Sequence, residues 1–302
     1  MARLADRLPQ NVAGAFYVDS SCIDCETCRF VAPRTFSRDD SVDQSIVSAQ
    51  PEGDEEVRRA AMALVACPTS SIGVEKSGDT AAVKEAAHAF PEEITGAIQY
   101  CGYASESSFG ASSWLLVRPA ARGGNVLIDS PRAAKPLIAR LQALGGVQTM
   151  FLTHRDDVAD HARFREVFGC TRVMHRADLT ADTRDVERVV DGEEPTALDD
   201  ELTVIPVPGH TRGSAVLLHR HEGRGYLFTG DHLWWSAERS ALHASRSVSW
   251  YSWEQQTRSM ERLLDHEFEW VFPGHGRRFH AGSPEEMRRA LQTLIAWMRQ
   301  RR

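Results

Sequence analysis

Residues 22–28 read CIDCETC, three cysteines separated each time by two residues, and a fourth returns far downstream as Cys67-Pro68 in ALVACPTSS. No other feature restricts the chain as strongly. Clustered thiols in a cytosolic chain are ligands of a metal or a cluster rather than disulfide partners, so the first quarter must fold around them. The cytoplasmic expectation comes from the remaining sequence. No N-terminal stretch joins a charged start to an apolar core, and no apolar run approaches the ~20 residues of a membrane span. Two further cysteines, Cys101 and Cys170, stand alone and are expected to pack as small apolar side chains.

Iron–sulfur clusters are held by thiolates, and in the two-cluster pattern C-x2-C-x2-C-x3-C-P the fourth cysteine serves a second cluster. Here Ala32 occupies that fourth position with Pro33 behind it, and no second C-x2-C-x2-C exists. Cys22, Cys25, Cys28 and Cys67 are therefore left for one cluster. A Zn(Cys)4 knuckle is the alternative, although such knuckles more often use two separated C-x2-C pairs. Four thiols favour [4Fe-4S] over [3Fe-4S]. With the aromatic-acid lead-in FYVD, residues 10–75 resemble the single-cluster bacterial ferredoxins. That resemblance implies a small ferredoxin-like α+β domain, placed here at residues 1–75.

The chain has 302 residues, long enough for two domains, and 42% of them are hydrophobic. Its 35 basic and 42 acidic residues leave a net charge of -7, which argues against nucleic acid as a main partner. Residues 76–95 are polar and alanine-rich and read as a linker with a short helix in it. Beyond them, SSWLLVRP and GNVLIDSP read as strands, AAKPLIARLQAL as a helix and VQTMFLTH as a strand. DHARFREVFG is helical, RVMHR, LTVIPVPG, AVLLHR and YLFTG are strands, and PEEMRRALQTLIAWMRQRR is an amphipathic helix. This order suits a two-sheet sandwich with helices on its outer faces, over residues 96–302, better than a doubly wound sheet.

Four of these strands finish on a candidate ligand: FLTH at His154, PVPGHT at His210, LFTGDH at Asp231 and VFPGHG at His275. Imidazole and carboxylate suit zinc, iron and manganese, and a neighbouring glycine lets the backbone turn sharply toward a common point. The TH…DH element, PGHTRGS, TGD and PGHG together resemble the metallo-β-lactamase superfamily, in particular its ferredoxin-fused members. The resemblance implies an αββα sandwich holding one or two zinc or iron ions. Its H-x-H-x-D-H element departs from the pattern, because residues 153–161 read THRDDVADH. Matching forward from His154 and backward from His161 both lead to Asp156, which a two-residue insertion explains, with Asp156 or its neighbour Asp157 offered as a carboxylate ligand. The resemblance then implies one site of His154, Asp156 and His210 and a second of Asp160, His161 and His275. Asp231 would bridge the two, and Asp160 and Asp231 are the candidate catalytic carboxylates.

The other histidines, His175, His219, His221, His243, His266 and His280, have no second ligand at useful spacing, and His232 only follows Asp231. The tryptophan-rich stretch from His232 to Gln256 reads as core packing, although Arg246, Trp250, Tyr251 and Trp253 also suit a substrate-pocket wall. Three functions follow. The first is metal-dependent hydrolysis of an ester, thioester or lactone-like bond in a small-molecule substrate. The second is an oxidoreductase, served by a redox partner, whose cluster passes electrons to an iron pair. The third is a non-enzymatic redox-sensing or binding protein.

Overall fold

The computed structural model describes residues 2–75 and 80–301, so residues 76–79 of the expected linker lie outside the described residues. The chain divides into two compact units, one of Met1–Val117 with Pro131–Gly146 and the other of Arg118–Ser130 with Val147–Arg302. The described part of the segment read as a linker carries the helix Thr80–Ala86 and begins the strand Glu92–Thr95, inside the first unit.

In the first unit, Phe16–Val18 pairs antiparallel with Ile72–Val74, and Phe36–Asp39 with Gln44–Val47. The helix Gly53–Ala66 follows in sequence. Asp54, Glu55 and Glu56 fill its first turn, where the helix dipole favours acids. Its buried residues are Ala60, Ala61, Met62, Ala63 and Ala66, mostly small side chains that permit close backbone packing. The helix stops at Cys67 because Pro68 follows, which biases the residue before it away from helical geometry. Its end thereby sets the position of the fourth thiol. A separate antiparallel set, Glu92–Thr95, Ile98–Tyr100 and Trp114–Leu116, also belongs to this unit.

The second unit holds two sheets. In one, Val126–Ile128, Thr149–Phe151, Thr171–His175 and Arg188–Val190 run parallel in that order. The other is ordered Thr196–Ala197, Leu202–Pro206, Ala215–His221, Arg224–Gly230, Trp270–Pro273 and Phe279–His280. On its central strand Val216 and Leu218 join a core with Ile205, Leu227 and Val271, covered by residues of the helices Trp253–Arg262 and Pro284–Arg299. The alternate residues Val204, Leu217, Phe228 and Phe272 are equally buried, so both faces of the sheet are covered.

The C-terminal helix shows how the sequence encodes this. Ser283 caps its N-terminus by accepting the Glu286 N–H, Pro284 opens it, and Met287, Leu291, Leu294, Ile295 and Met298 form its buried stripe. The strands and helices expected over residues 114–175, 202–230 and 284–299 are all present. The helix Trp253–Arg262, inside the tryptophan-rich stretch, is not among the elements expected from the sequence. It begins at a Ser252 cap, and Trp253 is core, its indole N–H donating to the Met298 carbonyl. Among the described residues no helix is long and apolar enough to cross a membrane.

Candidate metal and cluster sites

His154 follows the strand Thr149–Phe151, and its position is set from behind. Buried Asp129 accepts the Thr153 backbone N–H at 2.8 Å and its hydroxyl at 3.0 Å, and the Thr153 hydroxyl oxygen lies 3.0 Å from His154 Nδ1. The other imidazole nitrogen, Nε2, is buried without a hydrogen-bond partner. Gly230 admits this arrangement: its φ is +47, and a Cβ there would lie 2.3 Å from the Thr153 hydroxyl. Gly209 plays a similar part for His210, since a Cβ on it would lie 2.3 Å from the Cα of Gln256.

The ligand atoms of His154, His210 and Asp231 all lie within 4.8 Å of one another. Asp231 Oδ2 is 3.8 Å from His154 Nε2, 3.6 Å from His210 Nε2 and 3.6 Å from His275 Nε2. Asp156 Oδ2 reaches the same point from the rim, 3.5 Å from His210 Nε2 and 3.8 Å from His154 Nε2. Asp157, which is buried, comes from the other side. A Cβ on Gly274 would lie 2.7 Å from Asp231 Oδ1 and 2.9 Å from Asp157 Oδ2, so only glycine leaves room for the two carboxylates there.

The electrostatics match a cation site. Burial, then the nearby charges of Asp231, Asp129 and Asp156, push Asp157 well above the ordinary carboxylate range. Asp129 is pushed up to about 8, chiefly by burial and with Asp231 adding to it against the Thr153 hydrogen bonds. Burial would raise Asp231 as well, but His275, His154 and His210 hold it below its usual value. Buried carboxylates in this number are costly without a compensating positive charge. With imidazole nitrogens of His154 and His210 lacking hydrogen-bond partners, and Asp157 Oδ2 and Asp231 Oδ1 likewise, the residues fit one or two metal ions.

Asp160 and His161 stand elsewhere. Asp160 is exposed at the start of the helix His161–Phe168, and the His161 ring nitrogen Nδ1 lies 3.1 Å from the Arg172 guanidinium. Arg172 is in turn held by Glu187 at 3.0 Å. The two additional residues of THRDDVADH carry the chain through Ala159, at φ 22, before the helix begins, and His161 lands beside Arg172. Asp157 stands beside Asp231 instead.

One further residue carries no signal in the sequence. Buried Asp178 accepts hydrogen bonds from the Thr211 hydroxyl at 2.5 Å, the Arg155 N–H at 3.0 Å and the Gly213 N–H at 2.6 Å. It joins the segments that carry His154 and His210.

In the first unit, Cys22, Cys25, Cys28 and Cys67 line one small cavity with Thr27, Ser45, Thr69 and Ser71. Asp24 and Glu26 both adopt positive φ, 57 and 71, which curls the cysteine loop inward. Arg29 and Arg38 hold the curl by binding Asp24 at 2.5 and 2.9 Å. The Ser71 N–H donates to Cys67 Sγ at 3.3 Å, and Thr27 Oγ1 lies 3.5 Å from Cys25 Sγ. Gly110 packs against Cys25: its φ is +84, and a Cβ there would be 2.6 Å from the Cys25 Cβ and 2.9 Å from its Sγ. Burial pushes the Cys25 thiol up to about 11 and raises Cys22 and Cys28 too, so these thiols suit thiolate ligation only with iron beside them. Cys101 and Cys170 are buried.

Comparison with known proteins bears on both units. Residues 18–74, which contain all four cysteines, match the 4Fe-4S single cluster domain of Ferredoxin I. A hydroxyacylglutathione hydrolase of Fuscovulum blasticum is 36% identical over 129 residues, 39% of this chain and 46% of the relative. That of Xanthomonas euvesicatoria pv. vesicatoria is 33% identical over 123 residues, 40% of this chain and 45% of the relative. The chain thus spans about half the length of the curated relatives it matches. Among solved structures, the DIM-1 metallo-β-lactamase superposes with a TM-score of 0.51 at 18% identity, over 67% of this chain and 95% of that one. The chain therefore carries, at residues 18–74, a match to a 4Fe-4S single-cluster ferredoxin domain, together with a domain of the metallo-β-lactamase fold in which His154, His210 and Asp231 could hold a metal ion.

Proposed function

We propose that the protein is a metal-dependent hydrolase that cleaves a thioester in a small-molecule substrate. The observation that carries this reading is the convergence of His154, His210 and Asp231 ligand atoms within 4.8 Å, in a chain similar to hydroxyacylglutathione hydrolases. His154, Asp156 and His210 form the first ligand set. Asp157 and His275 form the second, in place of Asp160 and His161, and Asp231 faces both. A metal held by these residues would lower the pKa of a bound water toward neutrality and polarise a carbonyl.

The protein's own residues orient this chemistry. Asp129 and Thr153 fix the face that His154 presents, Asp178 holds the two ligand segments in register, and Gly274 lets Asp157 and Asp231 approach the same point. Asp156, partly exposed at the rim, accepts the polar interaction of His210, which keeps its carboxyl ionised. In the net reaction water adds to the carbonyl carbon, the C–S bond breaks, and a carboxylate and a thiol leave. Six cysteines without disulfides suit a reducing compartment such as the cytoplasm.

The test is thiol release from a simple acyl thioester by protein purified without air, read beside metal content per chain. Stoichiometric release with metal beyond the cluster iron supports the proposal. Turnover that starts only when a reductant is added favours instead the oxidoreductase reading, which the three carboxylates around the site also suit through their affinity for iron.

A further inference from the structure

The tryptophan-rich segment resolves into residues with separate roles. Trp253 is buried in the core, and Arg246 is engaged with the Arg301 carbonyl. Trp250 and Tyr251 are 61% and 49% exposed. Two adjacent large aromatics facing water are unfavourable unless something covers them, and the segment that carries them is bonded to the His210 loop. The Trp250 ring lies 6.3 Å from the His210 ring. The segment is also fixed to the ligand loop itself: the Tyr251 N–H donates to the His210 carbonyl and the Ser252 N–H to the Gly209 carbonyl, each at 3.0 Å. The Ser249 hydroxyl donates to the same Gly209 carbonyl at 3.2 Å.

From this geometry we infer that Trp250, with Tyr251 beside it, is a specificity-determining residue that packs an apolar acyl group, aromatic or branched, next to the reacting carbonyl. The inference rests on the hydrolase reading above. The indole stands beside the imidazole of His210, one of the proposed metal-binding residues, with the two rings tilted by 59°, so an apolar group next to a carbonyl bound there is within its reach. The backbone that carries the indole is held by hydrogen bonds, and the ring loses little conformational freedom when covered.

The experiment compares phenylacetyl and acetyl thioesters of one thiol, using the full-length, metal-loaded protein and its Trp250→Ala and Trp250→Phe variants. Trp250→Ala is expected to raise KM for the phenylacetyl substrate by about tenfold, with kcat within about twofold and the acetyl substrate unchanged, and Trp250→Phe to recover most of the loss. Equal effects on both substrates, or none on either, would overturn the inference. Binding of the product phenylacetate, followed by ligand-observed NMR, separates this result from the hydrolase reading. Binding that weakens in Trp250→Ala supports the acyl site even if no thioester turns over, and equal binding in both proteins refutes it.

Discussion

The Asp178 carboxylate and the Thr211 hydroxyl meet at 2.5 Å in a buried position, and the same carboxylate holds the Arg155 and Gly213 N–H groups. One side chain thereby fixes two ligand segments that are more than fifty residues apart in sequence. Asp178→Ala is expected to lower metal affinity on the order of 10–100-fold without touching a ligand. It should also lower thermal stability, because several hydrogen bonds to a buried carboxylate are lost together. Metal retained against a chelator, measured beside the thermal midpoint, checks both effects. Unchanged metal retention would remove Asp178 from the account.

The second ligand set predicts an asymmetry between neighbours. Asp157→Asn should reduce bound metal by close to one ion per chain in a protein that holds two, whereas Asp160→Asn and His161→Gln should leave metal content nearly intact. Elemental analysis of the three variants decides between them. Equal losses in His161→Gln and Asp157→Asn would place His161 among the ligands after all.

Most of this site is legible in the sequence alone. His154, His210, Asp231 and His275 each follow a strand closely, the last three directly after a glycine, and a strand end is a place where backbone pattern alone locates a side chain. The path through THRDDVADH is not legible, because an insertion leaves its two ends fixed and its middle free. Two facts decide it, the turn at Ala159 and the attraction of His161 to Arg172, and the second depends on a contact eleven residues away. Asp178 is hidden for the same reason: Thr211 and Gly213 are 33 and 35 residues downstream of it, and nothing local marks an acid that acts at that distance. In the first unit, the proline after Cys67 and the cysteine spacing are sufficient, whereas Gly110 gives no signal because it approaches Cys25 from 85 residues further along the chain.

Gly110→Ala tests that approach. The new Cβ would crowd Cys25 Sγ in a left-handed backbone conformation. Cluster iron and visible absorbance should fall in protein purified without air, while metal at the His154 group is retained. A full cluster in the variant would show that the loop moves aside freely.

Acid should weaken the second unit through His219. Its ring is buried beside Tyr226 and Glu201, and burial, against the pull of Glu201, lowers its pKa from 6.5 to about 4. A depressed histidine favours the folded state fully above pH 6.5, and that contribution disappears as pH falls from there toward about 4, because only the unfolded chain accepts the proton. The slope approaches roughly 1.4 kcal/mol per pH unit in that window. Thermal midpoints at pH 7 and pH 5 should therefore diverge less in His219→Phe than in the parent protein, and an identical divergence would assign the acid sensitivity to other groups.

The hydrolytic reading is tested most directly by thiol release from an acyl thioester without added reductant, measured on the parent protein, on Asp231→Asn, and on the protein with Cys22→Ser and Cys25→Ser together. Circular dichroism establishes that each variant is folded. The account predicts release by the parent and by the double serine variant at comparable rates, and a loss of at least about a hundredfold in Asp231→Asn together with its metal. Release that survives Asp231→Asn, or that vanishes with the cluster while the metal at His154, His210 and Asp231 remains, would contradict it.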